Sequence, residues 1–396
     1  MKYVDESCVI IENREIANGM FDLTVKSDFI AKNAVCGQFA NILCDNKMLR
    51  RPISICDTTD DTVRFVYQVK GGGTKWLSEQ TAGTTLMVFG PLGNGFQIKD
   101  DIQNLTLIGG GIGTPPMLKT LKTAHKKGIK TTVILGFRTS SLVILEEEFK
   151  KYADNLIICT DDGSAGMKGF VTDALKTVDT DCVMACGPTP MLSAINGVCV
   201  DCKIKCYVSL EERMGCGVGA CVCCVCRVQM KGFDGYTQVC KSGPVFDGAH
   251  IQWYVPKVIT KDEFDGAKAV RQKVFCEEQG YAHEVEFDEF DEFTDNVRQL
   301  AIFDGRRIVA TGRVIDFGNG YIKLGRIAVL PEYRKRGIGA MLLNALIDEA
   351  RAMKADKITV DSQIQAMPFY EKFGFKVFGE EHLDGHVPHR YMMLEM

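Results

Sequence analysis

Cys216, Cys221, Cys224 and Cys240 stand at spacings that can hold iron. The first three give C-x4-C-x2-C and Cys240 adds a distant fourth thiolate, the layout of a plant-type 2Fe-2S site. A compact inorganic core needs four converging thiolates. Gly215, Gly217 and Gly219 let the backbone wrap closely and turn its N–H groups toward the sulfurs. Two other chemistries compete for these residues. One is zinc, although structural zinc favours paired C-x2-4-C knuckles over a glycine-rich x4 loop; the other is disulfide formation. Cys223 and Cys226 lie in the same run, so a C-x2-C pair exists at both 221/224 and 223/226. Only the register 216/221/224 gives x4 and then x2, which makes Cys223 and Cys226 bystanders. With iron held there, the chain moves electrons one at a time.

Four further groups have phosphate or flavin chemistry. Arg51, Pro52, Ile53 and Ser54 lie on an expected strand, where an arginine and a serine can reach a pyrophosphate or a flavin edge. Alone, the pattern also describes a turn exit with a surface arginine. Val66, Tyr67 and Gln68 follow one strand later. Gly71, Gly72, Gly73 and Thr74 then precede an amphipathic start, so consecutive N–H groups can cradle a phosphate; a flexible hairpin is the plainer reading. Gly109, Gly110, Gly111, Gly113 and Thr114, running into Pro115 and Pro116, end a strand and open a helix, although the pattern is not G-x-G-x-x-G. Cys186, Gly187 and Pro188 close a later strand. Two Gly/Pro loops at the carboxyl ends of parallel strands mark a ligand crevice. Much further on, Arg334, Arg336, Gly337, Gly339 and Ala340 form R-x-x-G-x-G/A between a strand and a helix. Free N–H groups at that helix start suit a pyrophosphate. The competing reading, a basic surface turn, fits the strand–motif–helix order less well.

The elements that must carry these residues change character along the chain. Over 1–100, short β-rich runs at 8–12, 20–26, 39–43, 53–56, 62–69 and 85–89 are separated by Gly, Asp, Asn or Pro, which predicts a small antiparallel barrel. Over 101–210, apolar strands alternate with amphipathic helices, the rhythm of a Rossmann-like parallel sheet. Residues 211–253 are the Cys-rich module. Val255-Pro256 reads as a junction, and 257–396 starts a second, mixed α+β pattern with its clearest helix at 339–353. No internal repeat or low-complexity tract interrupts this order.

Composition agrees. The chain has 396 residues, 46% hydrophobic and 25% charged, with a formal net charge of −4, which gives no bulk attraction to nucleic acid or a membrane surface. The opening residues carry no export-signal pattern and no apolar stretch reaches membrane-span length, so a cytoplasmic location is expected. Seventeen cysteines in that setting read as small buried hydrophobes, among them Cys44, Cys56, Cys159, Cys182 and Cys186, plus one metal site.

The order of these motifs over residues 1 to about 250 resembles the ferredoxin-reductase superfamily. The run from Glu211 to Cys221 and the later segment from Val239 to Phe246 resemble one of its families, the iron–sulfur electron-transfer subunits of class 1B dihydroorotate dehydrogenase. The resemblance implies that Arg51–Ser54, Val66–Gln68, Gly73 and Thr74 hold FAD. It implies NAD at Gly109–Pro115 and Cys186–Met191, and the 2Fe-2S cluster at Cys216, Cys221, Cys224 and Cys240. It further implies a heterotetramer with a separate FMN-containing catalytic subunit, whose electrons reach NAD+ through cluster and FAD in pyrimidine biosynthesis. Related reductase subunits of the sulfhydrogenase or glutamate-synthase type share the flavin and nucleotide motifs and stand as the alternative. A third reading makes the first half a regulatory sensor; its intact motifs speak against that.

Residues 257–396 resemble the GNAT N-acetyltransferases. That likeness implies acetyl-CoA binding by Ile327, Ala328, Val329 and the 334–340 loop, with Tyr370 as the acid for the departing thiolate. The plainer role for Tyr370 is aromatic packing beside Phe369 and Phe373. Glu286, Asp288 and Glu289 form an acidic stretch from which no general base stands out.

Overall fold

The computed structural model describes all residues except Met1, Asn46, Lys231, Gly305, Arg306 and Arg336, and the side chain of Val285. The chain forms two compact units, Met1–Gln252 and Trp253–Met396.

The first unit opens with a closed antiparallel barrel. Its strands are β1 (Val4–Ala17), β2 (Met20–Lys26), β3 (Phe39–Ile42), β4 (Arg51–Thr58), β5 (Thr62–Gln68) and β6 (Thr85–Leu92), in the order β1-β2-β5-β4-β3-β6. Asn18-Gly19 makes the two-residue hairpin between β1 and β2, with Gly19 at φ +69, a conformation that favours glycine. Two short helices decorate the barrel, α1 (Asp28–Asn33) and α2 (Gly72–Ser78).

A seven-stranded sheet follows. Its elements are β7 (Asn104–Gly110), α3 (Pro115–Lys126), β8 (Lys130–Phe137), α4 (Glu146–Lys150), β9 (Asn155–Thr160), β10 (Met167–Lys168), α5 (Val171–Leu175), β11 (Cys182–Cys186), α6 (Thr189–Asp201) and β12 (Lys205–Ser209). Leu105, Leu107, Val133, Leu135, Val183 and Met184 are buried because helices cover both faces of these strands. The order is β10-β9-β8-β7-β11-β12-β15. The sheet is not wholly parallel. The chain leaves it through a hairpin, β13 (Val225–Met230) and β14 (Phe233–Gln238), and a turn of helix, α7 (Val239–Ser242). It returns as β15 (Val245–Asp247), antiparallel to β12. Barrel and sheet are clamped together. Arg64 of β5 forks onto Asp22 of β2 at 2.8 Å and onto Glu148 of α4 at 2.7 and 2.9 Å, and Lys122 of α3 meets Asp57 of β4.

The second unit is built on a sheet of order β16-β17-β18-β19-β20-β22-β21. Its elements are β16 (Val255–Val258), α8 (Phe264–Arg271) continuing into a π-helical stretch Gln272–Glu278, α9 (His283–Glu286), β17 (Val297–Asp304), β18 (Arg307–Asp316), β19 (Tyr321–Val329), α10 (Ile338–Ala352), β20 (Lys357–Gln363), α11 (Met367–Glu371), β21 (Lys376–Asp384) and β22 (Val387–Glu395). One expectation differs here. Val255-Pro256 is not a free junction but lies in edge strand β16, where a proline costs no internal ladder bond. The chain ends in a hairpin, β21–β22, whose two-residue turn is Gly385-His386, with Gly385 at φ +62. Among the described residues no helix is long and apolar enough to cross a membrane.

Candidate functional site

Backbone N–H groups surround the four predicted cysteines. Cys216 Sγ accepts from the N–H groups of Val218 (3.4 Å), Ala220 (3.2 Å) and Cys221 (3.4 Å). Cys221 Sγ accepts from Cys216 N at 3.4 Å, Cys224 Sγ from Cys240 N at 3.3 Å, and Cys240 Sγ from Gly219 N at 3.1 Å. Gly217 and Gly219, at φ +76 and +84, make this winding possible. Burial opposes charge on Cys216, but the N–H groups of Val218, Cys221 and Ala220 outweigh it and draw the thiol down to about 6. Cys240 goes the other way, raised first by burial and then by its neighbour Cys224. Backbone N–H bonds thus tie Cys216 and Cys221 to each other and Cys240 to Cys224. That donor set fits a two-iron cluster: two thiolates for each iron, with N–H groups to offset the negative charge. Cys223 is exposed, and Cys226 is carried off on β13 opposite Thr237, its thiol pushed up to about 12 by burial.

On the barrel, Arg51 and Gly73 meet. A Cβ added at Gly73 would lie 2.4 Å from Arg51 Nε, so the guanidinium rests against the start of α2. Thr74 Oγ1 accepts from Lys70 N (2.9 Å) and Gly71 N (3.2 Å), so part of the expected N–H cradle is already satisfied by this threonine. Register fixes the rest. Ile53 and Tyr67 belong to the barrel core, and the Tyr67 hydroxyl donates to Asn13 Oδ1 at 3.2 Å. Those two residues therefore have only backbone to offer a ligand. Pro52 and Ser54 alternate with Ile53 and face out of the barrel, and Val66 packs against the core of the neighbouring sheet.

The two Gly/Pro loops come together. Gly109 pairs with Cys186 across β7 and β11. A Cβ at Gly113 would lie 2.5 Å from Cys186 O, and one at Gly110 would lie 2.4 Å from Met191 Sδ and 3.2 Å from Pro188 Cδ. From β7 the chain winds one way through β8 to β10 and then returns to β11 on the other side. Both loops therefore flank the topological switch point, where open α/β sheets bind ligands. Thr114 is fully buried there, and its Oγ1 has no hydrogen-bond partner among the described residues. Burial pushes the Cys186 thiol up to about 12, so it is no nucleophile.

In the second unit, β19 and β20 pair in parallel only from Tyr321↔Lys357 to Leu324↔Val360. Beyond that point β19 bulges, with Arg326 at φ +51 and a register shift against β18, and Ile327, Ala328 and Val329 run on without β20 beside them. Gly337, at φ +78, opens α10, and a Cβ added at Gly339 would lie 3.7–3.8 Å from Phe369 of α11 and Val329 of β19. Loop, strand end and α11 therefore converge. Arg334 is not free for a phosphate: it forks onto Glu278 at 2.6 Å twice and donates to Val329 O at 3.0 Å. Arg336 lies outside the described residues. Tyr370 is buried between Phe369 and Phe375, and burial pushes its hydroxyl up to about 12.

Glu286 and Asp288 serve arginines. Glu286 takes Arg271 Nε at 2.6 Å and Arg326 Nε at 3.1 Å, and Asp288 takes the Arg313 fork. Burial leads the upward shift of Glu286; on Asp288 burial is outweighed by Arg313 and Arg326, which hold it below the usual carboxylate range. The sequence reading missed a pair just past the strand separation, His382 Nε2 at 3.2 Å from Asp361 Oδ1, with His382 stacked on Tyr391 at 4.5 Å. Nothing local could have joined residues 21 positions apart on strands whose register was unknown.

Family models match three segments. Residues 107–197 match the oxidoreductase NAD-binding domain, 211–252 the iron–sulfur cluster binding domain of dihydroorotate dehydrogenase B, and 267–396 the acetyltransferase (GNAT) domain. The electron transfer subunit of dihydroorotate dehydrogenase B (NAD(+)) from Fusobacterium nucleatum is 41% identical over 261 residues, covering 62% of this chain and 98% of that one. The corresponding subunit from Clostridium perfringens is 40% identical over 245 residues, 61% and 96%. A solved NADH-dependent reduced ferredoxin-NADP oxidoreductase aligns with a TM-score of 0.58 at 32% identity, over 62% of this chain and 90% of that one.

Proposed function

The chain belongs to the family of dihydroorotate dehydrogenase B electron transfer subunits, with a GNAT domain appended, and from that premise we propose a path for its electrons and a use for the appendage. The partner is an FMN-containing catalytic subunit that oxidises dihydroorotate, two of each chain assembling together. With a 2Fe-2S cluster and FAD bound, the first unit would connect that partner to NAD+. When bound, the cluster supplies a one-electron relay, FAD the exchange between single electrons and hydride, and NAD+ the final acceptor.

The chain's own residues bind and orient. Cys216, Cys221, Cys224 and Cys240 would hold the cluster, and the surrounding N–H groups offset the negative charge of the thiolates. Arg51, seated against Gly73, offers a fixed cation to the flavin pyrophosphate, while Pro52, Ser54 and Val66 present the outer barrel wall and Ile53, Tyr67, Gln68 and Thr74 shape it or offer backbone. Gly109, Gly110, Gly111, Gly113 and Thr114, with Cys186, Gly187 and Pro188, form the floor on which NAD+ lies. The expectation that this chain works in the cytoplasm belongs to the same proposal.

For the second unit the reaction is transfer of an acetyl group from acetyl-CoA to an amine. Ile327–Val329 offer strand backbone to the pantetheine arm, and Gly337, Gly339 and Ala340 offer N–H groups to the pyrophosphate. Tyr370, kept protonated by burial, gives its proton to the departing thiolate. Arg334 acts here by fixing the loop through Glu278 and not by touching phosphate.

The N–H groups converging on the four sulfurs carry the redox reading. Its test is the composition of the purified protein: iron, acid-labile sulfide and FAD together, with NADH bleaching the flavin. A colourless or zinc-loaded protein would sink it.

A further inference from the structure

Asn41 touches both the strand of candidate flavin residues and the cluster loop. It lies on β3 opposite Pro52 of β4, two residues from Phe39, which stands opposite Ser54. Cross-strand partners project from the same face, so Asn41, Pro52 and Ser54 share the outer side of the barrel wall, away from Ala40 and Ile42 in the barrel core. That outer position is nonetheless covered, since Asn41 is 1% exposed. The cover is the cluster loop. A Cβ at Gly217 would lie 2.3 Å from Asn41 Nδ2 and 3.1 Å from Leu92 Cδ1. The carboxamide nitrogen is therefore packed against backbone one residue from Cys216. Its oxygen, Oδ1, is buried and has no hydrogen-bond partner among the described residues. Leaving such an acceptor empty costs about 1–3 kcal/mol, so an acceptor of this kind beside the candidate flavin residues points to a donor brought by the ligand.

We propose that Asn41 is the positioning residue between the two redox groups. Its NH2 seats the Gly217 turn of the cluster loop on the barrel, and its Oδ1 accepts a hydrogen bond from the bound flavin. The inference rests on the reading that FAD and a 2Fe-2S cluster occupy this unit. Nothing in the cysteine spacing or in the R-P-I-S run assigns this role, because Asn41 belongs to neither.

The test uses the full-length protein with both groups bound, and two variants. Asn41→Leu removes donor and acceptor; Asn41→Asp keeps an acceptor and loses the donor. The readouts are FAD and iron content, the flavin absorbance band, the electron paramagnetic resonance spectrum of the dithionite-reduced cluster, and the rate at which the cluster is reduced after NADH reduces the flavin. Asn41→Leu should keep both groups but shift the flavin band and the cluster spectrum, with flavin-to-cluster transfer slowed about 10- to 100-fold, the usual range for outer-shell changes. Asn41→Asp should leave the flavin band alone and reproduce the cluster change. A wild-type protein without FAD or iron would defeat the functional reading itself, whatever Asn41 does. A loaded Asn41→Leu protein with unchanged spectra and transfer rate would overturn the role of Asn41. If that variant fails to fold, an Asn41→Asp protein with the wild-type cluster spectrum overturns it instead.

Discussion

At the scale of the residue, Cys216 shows what the spacing alone left open. Three N–H groups favour its thiolate, whereas Cys226, in the same sequence run, is half-buried and its thiol is pushed up by burial. Cys224→Ser is therefore expected to remove the cluster signal while flavin absorbance persists, and Cys223→Ser and Cys226→Ser to keep both; iron analysis with paramagnetic resonance checks all three. Loss of the cluster in Cys223→Ser would mean that the register is shifted. The x4-x2 spacing was readable because it is local. That Cys223 points to solvent was not, because it depends on the left-handed turns at Gly217, Gly219 and Val222. Tyr370 offers a second residue-scale test. Tyr370→Phe keeps the ring in its aromatic cluster and removes the proton, so acetyl transfer should fall in kcat by about 10²-fold or more with little change in stabilisation by acetyl-CoA. An unchanged kcat would leave Tyr370 a packing residue.

At the scale of elements, the two halves of the first unit are joined by charge at Arg64. Arg64→Ala would leave Asp22, whose side chain is 5% exposed, with only Arg14 at 3.8 Å, and would release α4 from β5. A loss of about 3 kcal/mol in urea unfolding at pH 7 is expected, as for other broken buried pairs. The pH dependence has a definite sign. Burial alone would raise Glu148, but Arg64 outweighs it and holds the carboxyl below its ordinary value. Its contribution to stability is thus present above the unfolded carboxyl pKa of about 4.3 and is lost as pH falls through the lower folded value. In Arg64→Ala that acid loss should shrink; an acid limb identical to wild type would disprove the link. Most elements were legible. The barrel strands follow from alternation and turn residues, and the sheet follows from strand–helix alternation. Strand β15 was not, since its three residues gain their meaning only by pairing with β12. The ion pairs of Arg271, Arg313 and Arg326 were equally invisible, because each depends on how α8, α9, β18 and β19 pack.

At the scale of the whole molecule, each unit has its own apolar core. Residues 1–252 made alone should remain coloured, and residues 253–396 made alone should be stabilised by acetyl-CoA, by about 2.7 kcal/mol at a hundredfold excess over Kd. A thermal shift that appears only in the full chain would show that the units depend on each other; no shift in either would demote the second unit to a fold without acetyl-CoA chemistry.

By itself the sequence determined the order of the modules and the residue types at each site: thiolates at iron spacing, glycines at two strand ends, and a glycine loop before a helix. These are local properties, set by backbone freedom and by periods of two and 3.6 residues. Only the tertiary structure decided which side chains meet. It put Arg51 against Gly73, turned Tyr67 into the barrel core, tied Arg334 to Glu278 and laid Gly217 over Asn41. The reason is physical. Register and packing depend on many distant contacts at once, and a one-residue change of register moves a side chain to the opposite face of its sheet.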